Sequence, residues 1–322
     1  MPGPEPAARS FPESMLIDYA AITHPGKVRK NNEDAYLVSV LDGEEPQVNS
    51  LRRHPNSCPK GLLAAVADGM GGAAAGEVAS REGLASIALY LFGHWGRFPG
   101  DRGSESLLME TLLGAAEAAS QAVLRYSDDD RTARGMGSTL TASVIWEGHA
   151  YLCQVGDSRA YLYRRPELVQ LTQDQTLVNQ MIQSGTLTPL EAQRHPQRSM
   201  ITQALGCPQP VKAVLGKVRL RRGDRLLLCS DGLHGEVGDG ELKAILDHGF
   251  STRRSLELMV EAALAKGARD NVTALLLALD DPALPLPHPR LDVVRVESPS
   301  SGSPAEVRSF SARLGRLFGA RS

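Results

Sequence analysis

Five aspartates stand where apolar runs meet turns. Asp68, Asp157 and Asp231 each follow a strand-like stretch and lie beside a glycine, Asp270 immediately precedes another such stretch, and Asp34 opens one. If these strands share a sheet system, the carboxylates meet at one edge. Clustered carboxylates raise one another's pKa unless cations sit among them. Oxygen donors without a His or Cys set select hard ions, so Mg2+ or Mn2+ is the expected occupant rather than zinc. Two such ions ~4 Å apart can bridge a water, lower its pKa and aim it at phosphorus. Arg29, in the loop before Asp34, is available for bidentate contact with a phosphate. A plainer description fits the same residues. Asp-Gly is a common turn dipeptide, and aspartates in separate turns need never converge. Spacing by itself leaves both descriptions open.

The elements that must position these residues are organised around Leu62 to Gly76. There an apolar run of strand length ends at Asp68, four glycines follow within eight positions, and a helix is expected from Glu77 to Phe92. Upstream, Leu16–Thr23 and Ala35–Leu41 read as strands flanking a polar loop. Residues 42–61 read as a surface insertion. Downstream, 105–126 carries apolar residues at helical spacing: Leu108, Leu112, Ala115, Ala119 and Val123. Strands are expected at Leu140–Trp146, Ala150–Val155, Arg159–Tyr163, Ala213–Leu220, Arg225–Cys229 and Val272–Leu279, and helices at 239–247 and 254–266. Residues 165–212, with short amphipathic pieces and several prolines, read as a semi-independent helical flap over the sheet.

The chain has 322 residues, 42% hydrophobic and 22% charged, enough for one large or two small domains with a full core. A formal net charge of −2 argues against a nucleic-acid partner. Its 4 cysteines (Cys58, Cys153, Cys207, Cys229) have no C-x-x-C spacing and read as free thiols in a reducing compartment. No apolar run approaches the ~20 residues of a bilayer span, and the first residues lack signal-peptide character. The expectation is a cytoplasmic protein. Residues 1–14 are expected to be disordered, 282–304 to be a Pro/Ser-rich linker, and 305–322 to form an amphipathic helix with Val307, Phe310, Leu314, Leu317 and Phe318 on one face.

Six short motifs then occur in order: Arg29-Lys-Asn-Asn-Glu-Asp34, Val66-Ala-Asp-Gly-Met-Gly-Gly72, Gly135-Met-Gly-Ser-Thr-Leu-Thr141, Val155-Gly-Asp-Ser-Arg159, Ser230-Asp-Gly-Leu233 and Arg269-Asp-Asn-Val-Thr273. Each is weak alone. Together they closely resemble the bacterial branch of the metal-dependent protein serine/threonine phosphatases, the type 2C family, over about residues 16 to 280. The resemblance implies an α+β fold with a central β-sandwich of two antiparallel sheets flanked by helices, α-β-β-α in layers, and a catalytic domain over 15–281. It implies a dinuclear Mn2+ or Mg2+ site whose activated water hydrolyses phosphoserine and phosphothreonine in proteins without a phosphoenzyme. Position by position, Asp68 resembles the carboxylate bridging both metals, Gly69 a carbonyl ligand, and Asp231 and Asp270 ligands of the first metal. Glu33 and Asp34 match the acidic pair serving the second metal, and Asp157 matches the residue that helps hold a third, weaker ion. Arg29 matches the phosphate-binding arginine, making Arg29, Asp68 and Asp231 the expected catalytic residues. Asn271 is expected to orient the turn carrying Asp270. The implied partners are phosphorylated proteins, substrates of a bacterial Ser/Thr kinase, met by a monomer.

Three positions depart from the family pattern. Met70 stands where eukaryotic relatives have a His proposed as general acid, Ala73 where bacterial relatives often have His, and Gln175 follows Asp174 where His is frequent. Among substitute acids, His234 is a better candidate than His24, His149 or His195. Two rivals remain: a pseudophosphatase that only binds phosphoproteins, and a different metal hydrolase such as a phosphodiesterase. The first would be supported by loss of a core Asp, the second by His ligands and a basic groove; none of these features is present in the sequence.

Overall fold

The computed structural model describes residues 15–41, 61–71, 75–98, 104–288, 294 and 296. The expected disordered start, most of the 42–61 insertion, Ala73 and the 305–322 helix lie outside the described residues. In chain order come β1 (Asp18–His24), β2 (Asp34–Val40), β3 (Leu62–Met70), α1 (Ala75–Trp95), α2 (Ser104–Asp129), β4 (Gly137–Ser138), β5 (Leu140–Trp146), β6 (His149–Val155), β7 (Arg159–Arg164) and β8 (Glu167–Gln170). They are followed by α3 (Leu177–Gln183), α4 (Pro189–Gln193), β9 (Val214–Arg219), β10 (Asp224–Cys229), α5 (Asp231–His234), α6 (Asp239–Asp247), α7 (Thr252–Ala265) and β11 (Val272–Leu279).

Central strands that are apolar on both faces stack this chain into layers. β11 is buried at all eight positions, and Leu62 to Ala67 of β3 are fully buried. A strand can sustain such a run only when both its faces are covered. One sheet runs β1-β11-β10-β7-β8, the other β2-β3-β5-β6-β9 with β4 on the end of β3, and every pairing is antiparallel. Alternation sends Val66, Leu152, Leu162, Leu226 and Leu228 into the layer between the sheets. Leu63, Ala65 and Ala67 face the other way, toward α1 and α2. Leu227 and Leu276 pack beneath α6 and α7. The expected α-β-β-α sandwich is the fold observed.

Four local features differ from expectation. β3 does not stop at Asp68 but continues to Met70, because β4 supplies partners for Gly69 and Met70. Residues 167–170, placed within the flap, are the edge strand β8, so the helical part begins after it. Asp231 does not sit in an open turn; it starts the one-turn helix α5. α2 is long and apolar enough to cross a bilayer, contrary to the expectation that no stretch qualifies. Its apolar stripe from Leu108 to Val123 is nevertheless buried against the sheet and α1, as in a core helix.

Leu228 is fully buried between the sheets, opposite Leu275 on one side and Ala160 on the other. Leu228→Ala is expected to destabilise the fold by about 2–5 kcal/mol. Urea unfolding should show a lower midpoint at unchanged slope; an unchanged midpoint would contradict this account of the inter-sheet core.

Candidate functional site

Following the inward-facing side chains along the strands, the layer between the sheets changes character at one end. On β3 the inward series Leu62, Ala64, Val66 continues to Asp68, and on β2 the series Val40, Val38, Tyr36 arrives at Asp34. The series Leu226, Leu228 leads to Ser230, and on β6 Ala150, Leu152 leads to Gln154. The sandwich is therefore greasy at one end and polar at the other. Hydrogen bonds satisfy the polar end. Thr139 Oγ1 lies 2.8 Å from Ser158 Oγ, Thr141 Oγ1 2.7 Å from Gln154 Oε1, and Gln154 Nε2 donates to Ser158 O at 2.7 Å.

The carboxylates stand at the mouth of that end. Asp34 lies directly opposite Asp68 in the β2–β3 register, which puts both side chains on one face with Cβ atoms ~5 Å apart. Asp34 Oδ2 accepts from Ser230 Oγ at 2.7 Å. Burial, only partly offset by that bond, pushes the Asp34 carboxyl up to about 7. Asp68 is raised well above the usual carboxylate range by burial, then by Asp34, Asp231, Asp157 and Asp270. Asp231 is raised by burial and by Asp270. Asp157, 8% exposed on the β6–β7 turn, rises to about 7 through burial and the Asp231 charge. The Asp34–Asp68 register and the charges of Asp231, Asp157 and Asp270 felt at Asp68 place the five expected aspartates around one end of the sandwich.

Glu33 and Asp270 form the outer edge. Burial raises the Glu33 carboxyl, and Arg29 opposes that rise. The Glu33 carbonyl accepts from Gly69 N at 3.1 Å. Gly69 and Gly76 are glycines because of crowding here. A Cβ on Gly69 would lie 1.9 Å from Gly76 O, and one on Gly76 would lie 2.8 Å from Glu33 Oε1. Arg29 Nη2 donates to Asp270 Oδ2 at 2.7 Å, with both side chains substantially exposed. Asn271 does more than orient Asp270. Its Oδ1 accepts from Glu33 N at 2.8 Å, and its Nδ2 donates to Pro25 O and Asn31 O, both at 2.9 Å. One buried amide thus ties the whole Arg29 loop to β11.

Among the described residues, no three acidic, His or Cys side chains are close enough as placed to form a ready chelate. Asp270 is turned toward Arg29 and Asp34 toward Ser230. Even so, Asp34 Oδ1 and Asp231 Oδ1 are buried with no hydrogen-bond partner. Orphaned carboxylate oxygens in an oxygen-only cluster suit a hard divalent cation such as Mn2+ or Mg2+.

The histidines are occupied otherwise. His234 Nε2 donates to Asp157 O at 3.1 Å, and burial drops the ring to about 4, so it is a neutral brace for the Asp157 turn rather than a proton donor. His24 Nδ1 accepts from Gly26 N, and His195 Nδ1 from Gln197 N. His149 opens β6 and bonds the Glu147 carbonyl, at the opposite end of the strand from the acids. Burial pushes the Cys229 thiol up to about 12, which removes it as a nucleophile. Sequence reasoning quoted Ser230 and Thr139 within motifs without giving them a role, and missed Gln154. Their inward parity, continuing the apolar series beyond its last member, was the available signal.

Comparison with known proteins agrees with this geometry. Residues 56–276 match the family described as Protein phosphatase 2C. Serine/threonine protein phosphatase PstP of Mycobacterium tuberculosis is 37% identical over 268 residues, which is 83% of this chain and 46% of PstP. Protein phosphatase PhpP of Streptococcus pneumoniae is 31% identical over 265 residues, 82% of this chain and 98% of PhpP. The solved catalytic domain of serine threonine protein phosphatase PstP in complex with two manganese ions superposes with a TM-score of 0.65 at 34% identity, covering 83% of this chain and 100% of that one. This chain therefore spans about half the length of PstP and nearly all of PhpP. Fold and relatives together define a class, the bacterial metal-dependent phosphatases. Within it, the chain belongs to the protein phosphatase 2C family.

Asp34 and Asp157 are both raised to about 7, so between the unfolded pKa near 4 and that value the folded state holds more protons than the unfolded one. Stability of chelator-treated protein should accordingly fall as pH rises from 4 to 7 and level off above. Mn2+, which needs the ionised carboxylates, should raise the melting temperature more at pH 8 than at pH 5. A melting temperature that ignores Mn2+ at pH 8 would remove the metal assignment.

Proposed function

We propose that this chain is a divalent-metal-dependent phosphatase that hydrolyses phosphoserine and phosphothreonine monoesters in proteins. The observation that carries this reading is the pair of orphaned, buried carboxylate oxygens on Asp34 and Asp231, set beside Arg29 at the polar end of the sandwich. Asp68, Asp231, Asp270 and the Gly69 carbonyl would hold a first ion, and Asp68 with Glu33 and Asp34 a second, two being the number in the manganese complex of PstP. Asp157 would serve a third and weaker one. Such ions supply Lewis-acid charge for the phosphoryl oxygens and a nucleophilic water near neutral pH.

The rest falls to side chains. Arg29 is half-exposed on the rim, and its planar fork can move from Asp270 to two phosphoryl oxygens. Its charge then stabilises the equatorial oxygens as the ester bond breaks. Asp270, released from Arg29, becomes available as a ligand. Ser230 donates to Asp34 from a fully buried position and thereby fixes which carboxylate oxygen faces the centre. Asn271 keeps the Arg29 loop and the Asp270 turn in one rigid unit. Met70 and the braced His234 cannot donate the proton that the leaving alcohol needs, which falls to a bound water or another group. Phosphoproteins made by a bacterial serine/threonine kinase are the substrates this reading implies, met by a monomer in the cytoplasm.

Release of phosphate from a phosphothreonine peptide is the test, with Mn2+ or with chelator. Asp231→Asn should lower turnover by at least a hundredfold, and Arg29→Ala should mainly raise KM and lower kcat/KM by ten- to a hundredfold. Stoichiometric Mn2+ binding without turnover in the wild type would favour the phosphoprotein-binding alternative instead.

A further inference from the structure

The segment between β8 and β9 is fastened at both ends, and one residue carries much of the fastening. Gln175 N donates to Gly156 O at 2.9 Å, while Gly156 N donates back to Gln175 Oε1 at 2.7 Å. The other half of the same amide, Nε2, donates to Lys212 O at 2.8 Å, where the segment returns toward β9. The Gln175 carbonyl accepts from Thr202 N at 2.7 Å and Thr202 Oγ1 at 2.9 Å. The preceding residue, Asp174, is gripped by Arg159 Nε at 2.9 Å and Nη2 at 2.7 Å and by Gln170 Nε2 at 3.0 Å, which fixes the direction in which Gln175 enters.

The partner of that grip matters. Gly156 precedes Asp157 at φ +93°, and a Cβ there would lie 2.7 Å from Thr139 Cγ2. Thr139 in turn exchanges bonds with Asp68: Thr139 N donates to Asp68 O and Asp68 N to Thr139 Oγ1, both at 2.9 Å. A path of hydrogen bonds runs from Gln175 to Gly156, from Gly156 O through Gln154 Nε2 to Ser158 O, and from Ser158 Oγ through Thr139 Oγ1 to the N–H of the central aspartate, Asp68.

We infer that Gln175 is a positioning residue that locks both ends of the flap to the turn carrying Asp157, so that flap and acidic centre are set as one unit. Its side chain suits the role because an amide presents an acceptor and a donor side by side. A neutral imidazole does the same, a carboxylate offers acceptors only, and a methyl group offers neither.

The inference rests on the phosphatase reading for its kinetic arm alone. Wild type, Gln175→Ala, Gln175→Glu and Gln175→His are compared at pH 8 as full-length proteins. Amide hydrogen exchange is followed without substrate, and hydrolysis is followed on a phosphothreonine peptide and on p-nitrophenyl phosphate with Mn2+. Gln175→Ala should exchange about fivefold faster at residues 156–158 and at 211–213, the change expected from losing one hydrogen bond of ~1 kcal/mol at each end. It should raise the peptide KM at least threefold while kcat on p-nitrophenyl phosphate stays within twofold. Gln175→His should restore both properties, and Gln175→Glu should protect the Gly156 end but not the Lys212 end. Unchanged exchange in Gln175→Ala would overturn the inference. So would a Gln175→His protein that melts like wild type yet exchanges like Gln175→Ala. Absence of hydrolysis in every protein would count against the phosphatase reading, while the exchange data would still decide the role of Gln175.

Discussion

Like charge held out of water is the constraint around which this molecule is built. Asp34 faces Asp68 across an antiparallel pair, with Asp231, Asp157 and Asp270 close enough to raise it further. At an effective dielectric of ~20, two carboxylates ~5 Å apart repel by about 3 kcal/mol. That repulsion tends to drive the strand ends apart. The same strands resist it a few residues earlier, where Val66, Leu228 and Leu275 close the layer between the sheets. Each strand is thus an anchor at one end and a presenter of charge at the other. Protonation of the acids or a cation among them relieves the strain, and the latter keeps all the carboxylates ionised and useful.

The polar groups around the acids divide the work of relief. Ser230 and Thr139 supply bonds to Asp34 and to the Asp68 backbone from fully buried positions, so the acids keep their orientation without being neutralised by a fixed cation. On the rim, Arg29 is tied to Asp270 in a largely exposed pair. Exposed pairs are worth little and exchange partners readily. A buried Arg in that place would have been a permanent counter-ion, as Arg164 is for Asp224. Exposure is what suits Arg29 to a transient phosphate.

Much of this was legible in the chain because helix and strand periods and turn residues are local. The spans Leu140–Trp146, 239–247 and Val272–Leu279 coincide with β5, α6 and β11. The acidic residues could be named from order and neighbours alone. What escaped depends on partners distant in sequence. The continuation of β3 through Asp-Gly-Met looked like a turn, since Gly137 and Ser138 pair with it from across α1 and α2. The four-residue β8 followed a proline and had no pattern long enough to declare itself. α2 met the length and hydropathy of a bilayer span only because its exposed side is modestly polar and its buried stripe is aliphatic. Ser230 and Thr139 stood inside quoted motifs, but only their inward parity showed that they would support the acids.

The flap shows how far such non-local bonding changes the functional picture. Its amphipathic pieces suggest a body that moves independently over the sheet. In the folded chain its start is bonded to Gly156, its end forms a bridge between Leu205 and Ser138, and Ser138 Oγ itself donates to the Asp68 carbonyl. Freedom is left to the stretch between these fixings, which holds α3, α4 and the exposed side chains of Leu190 and Met200. A protein substrate pressing on that stretch would push against two fastenings that both end on the backbone around the central aspartates. The flap is therefore mechanically joined to the backbone around the acidic centre, and residues that look peripheral in sequence hold the two together.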